Sequence, residues 1–584
     1  MPDRGSLLSE HPNLEVLALG FLPGLMAGIH LSGLLFYLNP ALRFGLWPLT
    51  RLCLVFGILL GCASAALLAP FTWGRPQRAR RVLPWAMTTV LAAAALVDGA
   101  NASRFSLFLP PGINVRLIKA AFGLGVTALI FFYTALSHSM QRRRYGIRSR
   151  VGMIALALLG IYLVAERREA FQPSLPPTPL PSAVALEPRP DLLVVGLDGA
   201  TLDAVLPLAE QGRLPFFARL LEEGAHARLQ SFTPNEPAAQ WTTLASGKLP
   251  FKHGISGDRV FPPRFLAGRS ALRLRPAYVG FAAWGSLLYR SRPADMSQRR
   301  SPALWEILGR LGVRTGLLGW PASSPVPEGL DFAFSDRYFA GLRGRDSAAP
   351  AELAERGLLF RVAPEELDPA LASALGEQVP YPLLEAVAED LWRQSLSEFL
   401  WDQRPSTRAR FLVLPGLGAV SRTYFGGYSY AQFEGTQKRS HQQAAESLLA
   451  YYRHLDGFLE RAWNRLGERR LLAVVSAHGY SPPSGLGRLW STVTGRGLEG
   501  LDSSSPDGLL LLAGEGVLAG KLLERTTLVD VMPTLLYALG LPTARDLDGE
   551  VLTGGFDNAF LARHPLTFVP SYDTLAGQPP PPAL

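Results

Sequence analysis

The chain has 584 residues, too long for one ordinary domain. Hydrophobic residues make up 48% and charged residues 18%, a balance that excludes a wholly solvated chain and places part of it in a membrane. The formal charge of +9 is concentrated, with four arginines in 75–81 (RPQRARR) and five in 142–150 (RRRYGIRSR); apolar segments flank both, which argues against a nucleic-acid partner.

Those apolar segments cover about 14–38, 47–73, 82–100, 113–138 and 149–165. Most have the length needed to cross a ~30 Å hydrocarbon core, so residues 1–171 are expected to form a membrane domain of about five transmembrane helices in the lipid bilayer. Both arginine clusters follow an even number of spans. The positive-inside rule puts them, and the N-terminus, in the cytoplasm. The chain then emerges outside the cytoplasmic membrane after the fifth span. The first span has a weak charged flank and further spans follow it, so it reads as retained rather than cleaved. The two cysteines, Cys53 and Cys62, lie in the second span, leaving the exported part without a disulfide.

Residues 172–190 (QPSLPPTPLPSAVALEPRP) are proline-rich and read as a semi-rigid linker. The tail, 571–584, ends in QPPPPAL and reads as disordered. Between them, in 191–570, strands and helices alternate. "DLLVVGLDGA" (191–200) is a continuous apolar run of the kind buried on both faces of a parallel sheet. "LPFFARLLEEGA" (214–225) and "SPALWEILGRLG" (301–312) have helical spacing. "VRTGLLGWP" (313–321) and "RARFLVLPGLG" (408–418) read as strands. A long amphipathic helix at 444–467 leads into the strand "LLAVVSAHGY" (471–480), and "DGLLLLAGEGV" (507–517) and "TLVDVMPTLLYALG" (527–540) close the core. The pattern predicts an α/β sandwich around a mostly parallel sheet, with 340–400 as an inserted helical cap. The arginine-rich stretch 259–300 is expected as a solvated flank of the cleft, with binding of an anionic polymer or lipid headgroups as the alternative.

Four stretches carry a resemblance: "VVGLDGATLDAVLPLAEQGRLPFFARLLEEGA", "WTTLASGKLPFKHGI", "LWEILGRLGVRTGLLGWPASSPVP" leading to "SDRYF", and "YYRHLDGFLERAWNRLGERRLLAVVSAHGY" followed by "LVDVMPTLLYALGLPTARDLDGEVL". In order and spacing, across most of 191–552, they resemble the alkaline phosphatase superfamily, in its type I phosphodiesterase/nucleotide pyrophosphatase branch. The resemblance implies an alkaline-phosphatase-like α/β sandwich. It also implies two metal ions, usually zinc, about 4 Å apart, and a threonine or serine that attacks phosphorus. Six carboxylate and imidazole ligands hold such a centre.

On the family's pattern Asp198 stands in the first ligand position. The nucleophile position, ten residues before Gly247, is Pro237, which has no hydroxyl. The next aspartate–histidine pair falls on Gly416 and Val420. The Ser-Asp-His-Gly sequence is here Ser476-Ala477-His478-Gly479, and the last histidine falls on Ser504. Asp198 and His478 are the metal ligands left. The asparagine that binds an oxyanion in pyrophosphatase relatives corresponds by count to Asp258, a carboxylate. Each surviving residue also has a plainer reading: Asp198 as a helix N-cap, His478 as a histidine bonded to loop backbone, Glu236 as a solvated loop residue, and His253 as packing.

The expected function is a membrane-anchored, extracytoplasmic domain of this fold that serves as a non-catalytic envelope binding module without a cofactor, for a glycan, lipid headgroup or protein partner. The alternative is a rewired phosphodiesterase or phosphotransferase acting on envelope phospholipid or glycan. It would hold zinc or another divalent metal at Asp198 and His478, helped by Glu236, Asp258 or Asp502.

Overall fold

The computed structural model describes residues 11–141 except 41 and 43–45; residues 151, 152 and 155; and residues 189–573 except 266–270, 343, 345, 377, 378, 486, 487 and 489–497. The chain divides into two compact units. The first is Met1–Pro173 with Arg259–Pro293, here called the helical unit. The second, the sheet unit, is Ser174–Asp258 with Ala294–Leu584.

Among the described residues the helical unit has four helices long and apolar enough to cross a membrane: α1 (Pro12–Leu38), α2 (Leu46–Thr72), α3 (Pro76–Arg104) and α4 (Pro111–Met140). The fifth expected span, 149–165, falls almost entirely outside the described residues. Lipid tails are as apolar as leucine, so packing between such helices depends on close backbone approach. Gly24 and Gly28 of α1 permit it: a Cβ on either would run into the backbone of α2 at Leu60 or Phe56. A part-buried polar pair links α1 to α3, His30 Nε2 to Asp98 Oδ1 at 2.8 Å.

Residues 259–293 group with these helices rather than with the sheet, and Arg259, Arg264, Arg290 and Arg292 in it are exposed. Two short strands, β3 (Arg259–Val260) and β4 (Arg292–Pro293), close the base of this insertion. Asn39, just beyond the end of α1 and fully buried, accepts from the backbone N–H of Arg273 (2.6 Å) and Leu274 (2.9 Å) and donates to the Leu274 carbonyl (2.9 Å). Asn101, in the last turn of α3, accepts from Ala277 N–H at 2.9 Å. Phe56 of α2 packs its ring against Phe265, Phe281 and Trp284. The exposed arginines thus sit over an apolar face that two asparagine clamps hold to the helices.

Removing the first clamp leaves the Arg273 and Leu274 N–H groups buried without their acceptor, a cost on the order of 2 kcal/mol or more. Asn39→Ala in the full chain is expected to speed limited proteolysis within 259–293 roughly thirtyfold while cleavage elsewhere is unchanged. Identical digestion of both proteins would mean that Asn39 does not hold the insertion.

The sheet unit is built on a nine-stranded sheet. Its strands are β1 (Asp191–Leu197), β2 (Ala225–Gln230), β5 (Thr315–Leu318), β6 (Phe332–Phe334), β7 (Ala348–Ala349), β8 (Ala409–Leu414), β9 (Arg470–Ser476), β10 (Gly508–Gly514) and β11 (Lys521–Thr527), in the order β11-β2-β10-β9-β1-β8-β5-β6-β7. Only β10 and β7 run against the rest, so the sheet is mostly parallel, as expected. Side chains alternate across a strand. In β1, Leu193, Val195 and Leu197 join a core with the long helices, while Leu192 and Val194 are equally buried on the other face. Trp241 covers Gly196 on that second face. A strand covered on both sides must read as a continuous apolar run, and DLLVVGL does.

Four helices position the site: α5 (Pro237–Ser246), α6 (Tyr381–Gln403), α7 (Gly416–Phe433) and α8 (Arg439–Asn464). α6 falls mostly within the stretch expected as a cap, yet Leu383, Val387, Trp392, Leu396 and Leu400 are buried in the main core. At the other end, residues 571–573 are packed rather than tail-like: the Tyr572 hydroxyl donates to the Pro542 carbonyl and Asp573 pairs with the buried Lys248. Residues 574–584 lie outside the described residues.

Candidate functional site

In a parallel α/β sheet the loops at the C-terminal strand ends are where ligands gather. Here β1, β8 and β9 lie side by side and end at Leu197, Leu414 and Ser476. Asp198 follows β1, Gly416 follows β8 and opens α7, and His478 follows β9.

Asp198 and His478 are brought together. His478 is fully buried, and its Nε2 stands 3.4 Å from Asp198 Oδ1. Its Nδ1 lies 3.1 Å from the Gly479 carbonyl, which can only accept, so Nδ1 carries a proton. Burial disfavours a charged imidazole, but the hydrogen bond and charge of Asp198 outweigh it and hold the His478 pKa above its ordinary value. Asp198 is not the cap of the next helix: Thr201 is, accepting from Asp203 N–H.

The other ligand and nucleophile positions assigned by the resemblance carry neither a carboxylate nor an imidazole. Pro237 is the first residue of α5. Val420 and Ala477 are fully buried, and Ser504 is exposed. Gly416 has no room for a side chain, because a Cβ there would run into Asp390 Oδ2 and the Tyr451 hydroxyl. Two residues on, a Cβ at Gly418 would run into Asp198 Oδ2. Asp390, on α6, is completely buried; its Oδ1 accepts from Gly416 N–H (2.9 Å) and its Oδ2 from the Tyr451 hydroxyl (2.6 Å). Burial raises the Asp390 carboxyl to about 7 despite these two donors.

The carboxylates considered for a rewired site are employed separately. Asp258 Oδ1 accepts from Ala238 N–H at 2.7 Å, at the N-terminal end of α5. A helix N-terminus favours an anion, and Asp258 supplies one from within the chain. Burial pushes its carboxyl up, the donated hydrogen bond pulls it down, and the charges of Asp198 and Asp336 push it up further. Glu236 is no solvated loop residue: it is the half-buried N-cap of α5, and its carboxylate lies over Gly257. Asp502 pairs with Arg422 of α7 at 3.6 Å. Arg422 also reaches the Tyr480 hydroxyl at 3.3 Å and stands near enough to Asp198 to feel its charge. His253 is structural, as expected, bonding Thr243 Oγ1 through Nε2 and accepting from Ile255 N–H through Nδ1.

A zinc ion bonded at about 2.0–2.1 Å by two ligands holds them roughly 3.3 Å apart if tetrahedral. The Asp198–His478 separation matches that spacing, so these two residues fit one edge of a single site. They do not make a dinuclear centre: among the described residues there is no group of three or more His, Cys, Asp or Glu that could hold a metal ion. Arg422 places a fixed positive charge near Asp198, which disfavours a dication there.

Sequence reasoning missed Asp336, Asp390, Tyr451 and Arg422. Asp336 lies in the quoted "SDRYF"; it accepts from Ala322 N–H at 3.0 Å and is raised by burial. Arg422 had a usable signal, sitting on the helix that follows β8, two residues after Val420.

The sheet order and the residues at the ends of β1, β8 and β9 define an alkaline-phosphatase-like α/β domain following a helical region with four apolar helices among the described residues. The family model for type I phosphodiesterase/nucleotide pyrophosphatase matches residues 192–492, just over half of the chain. The chain belongs to that family. Solved structures similar to it include wild-type alkaline phosphatase PafA, at 11% identity over 64% of this chain and 100% of that one, with a TM-score of 0.41. Phosphonate monoester hydrolase from Silicibacter pomeroyi matches at 13% identity over 63% and 78%, with a TM-score of 0.36. An inactive variant of murine ectonucleotide pyrophosphatase/phosphodiesterase 5 in complex with AMP matches at 13% over 62% and 97%, with a TM-score of 0.35. No curated protein matches.

Proposed function

We propose that the sheet unit is a non-catalytic binding module of the phosphodiesterase family, tethered by the helical unit to the cytoplasmic membrane with its N-terminus in the cytoplasm and the sheet unit outside. The observation that carries this reading is the crowding at Gly416. The family's pattern calls for a carboxylate there, and Asp390 and Tyr451 leave it no space. Pro237 in the nucleophile position supports the same reading, since proline offers no oxygen to phosphorus. The module would engage an envelope glycan, lipid headgroup or protein partner without turning it over; nucleic acid is not among the expected partners.

The test is metal content and hydrolysis on the full chain. Purified protein is expected to hold well under one zinc per chain and to leave a chromogenic phosphodiester intact across zinc, manganese and magnesium. About two zinc ions per chain would sink the proposal. A second reading, a rewired hydrolase with one metal, is favoured by the zinc-like spacing of Asp198 and His478. Its signature is diesterase activity that disappears in Asp198→Ala combined with His478→Ala.

A further inference from the structure

Among the described residues of the helical unit, lysines and arginines far outnumber carboxylates. Residues 259–293 contain seven arginines and no aspartate or glutamate. Among the described residues of the unit the acidic side chains are Glu15 and Asp98, already engaged by Arg80 and His30. The clamps at Asn39 and Asn101 fix the insertion at the ends of α1 and α3. Those ends lie opposite the Arg75–Arg81 cluster, because α3 starts at that cluster and runs away from it.

The exposed surface of the insertion combines cations with apolar tips. Arg264 and Arg290 are both exposed and come from neighbouring backbone segments: Arg264 N–H donates to Leu288 and Arg290 N–H to Pro262. Beside them Leu287 is 80% exposed. Tyr278, 68% exposed, has Arg104 of α3 over its ring at 6.0 Å. Arginines interleaved with exposed aromatic and leucine side chains, at the end of helices able to cross a membrane, suit the layer where lipid phosphates meet acyl chains.

We propose that residues 259–293 form an interfacial platform that binds the phosphate headgroups of anionic phospholipid at this end of the helical unit, with Leu287 and Tyr278 seated among the lipids. The platform stands whether the sheet unit is catalytic or not. It follows from charge complementarity and attachment to apolar helices rather than from the positive-inside rule, which concerns the loops next to spans and is carried here by the Arg75–Arg81 cluster at the other end.

The test is competitive lipid retention by the full chain in detergent, with phosphatidylglycerol against phosphatidylcholine, read by mass spectrometry of the co-purified lipid. Wild type is expected to retain phosphatidylglycerol preferentially. Arg264→Gln with Arg290→Gln should lower that preference by roughly fivefold per arginine removed. Arg264→Lys with Arg290→Lys should keep most of it. The single glutamine variants, each with about half the effect on a logarithmic scale, carry the test if the double variant does not fold. Equal retention of both lipids by wild type, or an unchanged preference in the glutamine variants, overturns the proposal. So does displacement of the lipid by the same concentration of glycerol phosphate, which would make the ligand a free phosphate rather than a lipid surface.

Discussion

Gly416→Asp, the substitution that restores the carboxylate of the family pattern, is expected to destabilise the sheet unit by roughly 3–5 kcal/mol. The new Cβ would meet Asp390 Oδ2 and the Tyr451 hydroxyl, and the new carboxylate would then face a buried one with no added counter-charge. Close packing leaves little room for relaxation, since Tyr451 and Asp390 are both buried and bonded to each other. The thermal midpoint of the full chain, followed by tryptophan fluorescence, should fall by many degrees. Adding Asp390→Ala should recover part of the loss by removing the clash and one of the charges. A stable Gly416→Asp protein that also takes up zinc would mean the position had been kept open for a ligand, and the binding-module reading would go with it.

Asp390 predicts a second, pH-dependent effect. Its carboxyl is ordinarily near 3.8 and is raised to about 7 by burial in the folded chain. Between those values the folded state holds a proton that the unfolded chain has released. Stability therefore falls as pH rises through this window and levels off above it, by up to about 4 kcal/mol for this one group. In Asp390→Asn the side chain is neutral throughout and can still accept from Gly416 N–H. Its stability profile from about pH 4 to pH 7 should lack this component, so the midpoint of the variant gains on wild type steadily across the range. Parallel profiles would show that Asp390 does not titrate there.

What the sequence disclosed, and what it hid, follows from the range of the interactions. β1, β8 and β9 were legible because strands covered on both faces must be apolar throughout, and that is a local property. The apolar helices were legible for the same reason. Asp198 and His478 could be placed at neighbouring strand ends by matching motifs. The network that fills the Gly416 position was not legible: Asp390 lies 26 residues before it on a helix expected in a cap, and Tyr451 lies 61 residues beyond Asp390. Nor does any local pattern say that Asn39 reaches the backbone of Leu274, 235 residues away. Composition disclosed the exposed arginines of the insertion but not the aromatic face beneath them. Asp258 illustrates a third case, in which counting along the chain found the residue but its task, capping a helix that begins 21 residues earlier, appeared only with the fold.

The insertion leaves the sheet unit immediately after Asp258 and returns at Ala294, and the Ala294 N–H donates to the Asp258 carbonyl at 2.7 Å. Cutting the gene at the proline-rich linker would therefore not yield a clean soluble fragment. It would keep Phe261, Leu272, Phe281 and Tyr289 while discarding the helices that cover them, leaving an adhesive apolar surface on an otherwise well-formed protein. The fold offers its own remedy: with the two stem residues already bonded, a short glycine-containing turn joining Asp258 to Ala294 excises the insertion where the chain nearly closes on itself, and makes the sheet unit accessible to crystallisation and ligand screening in water.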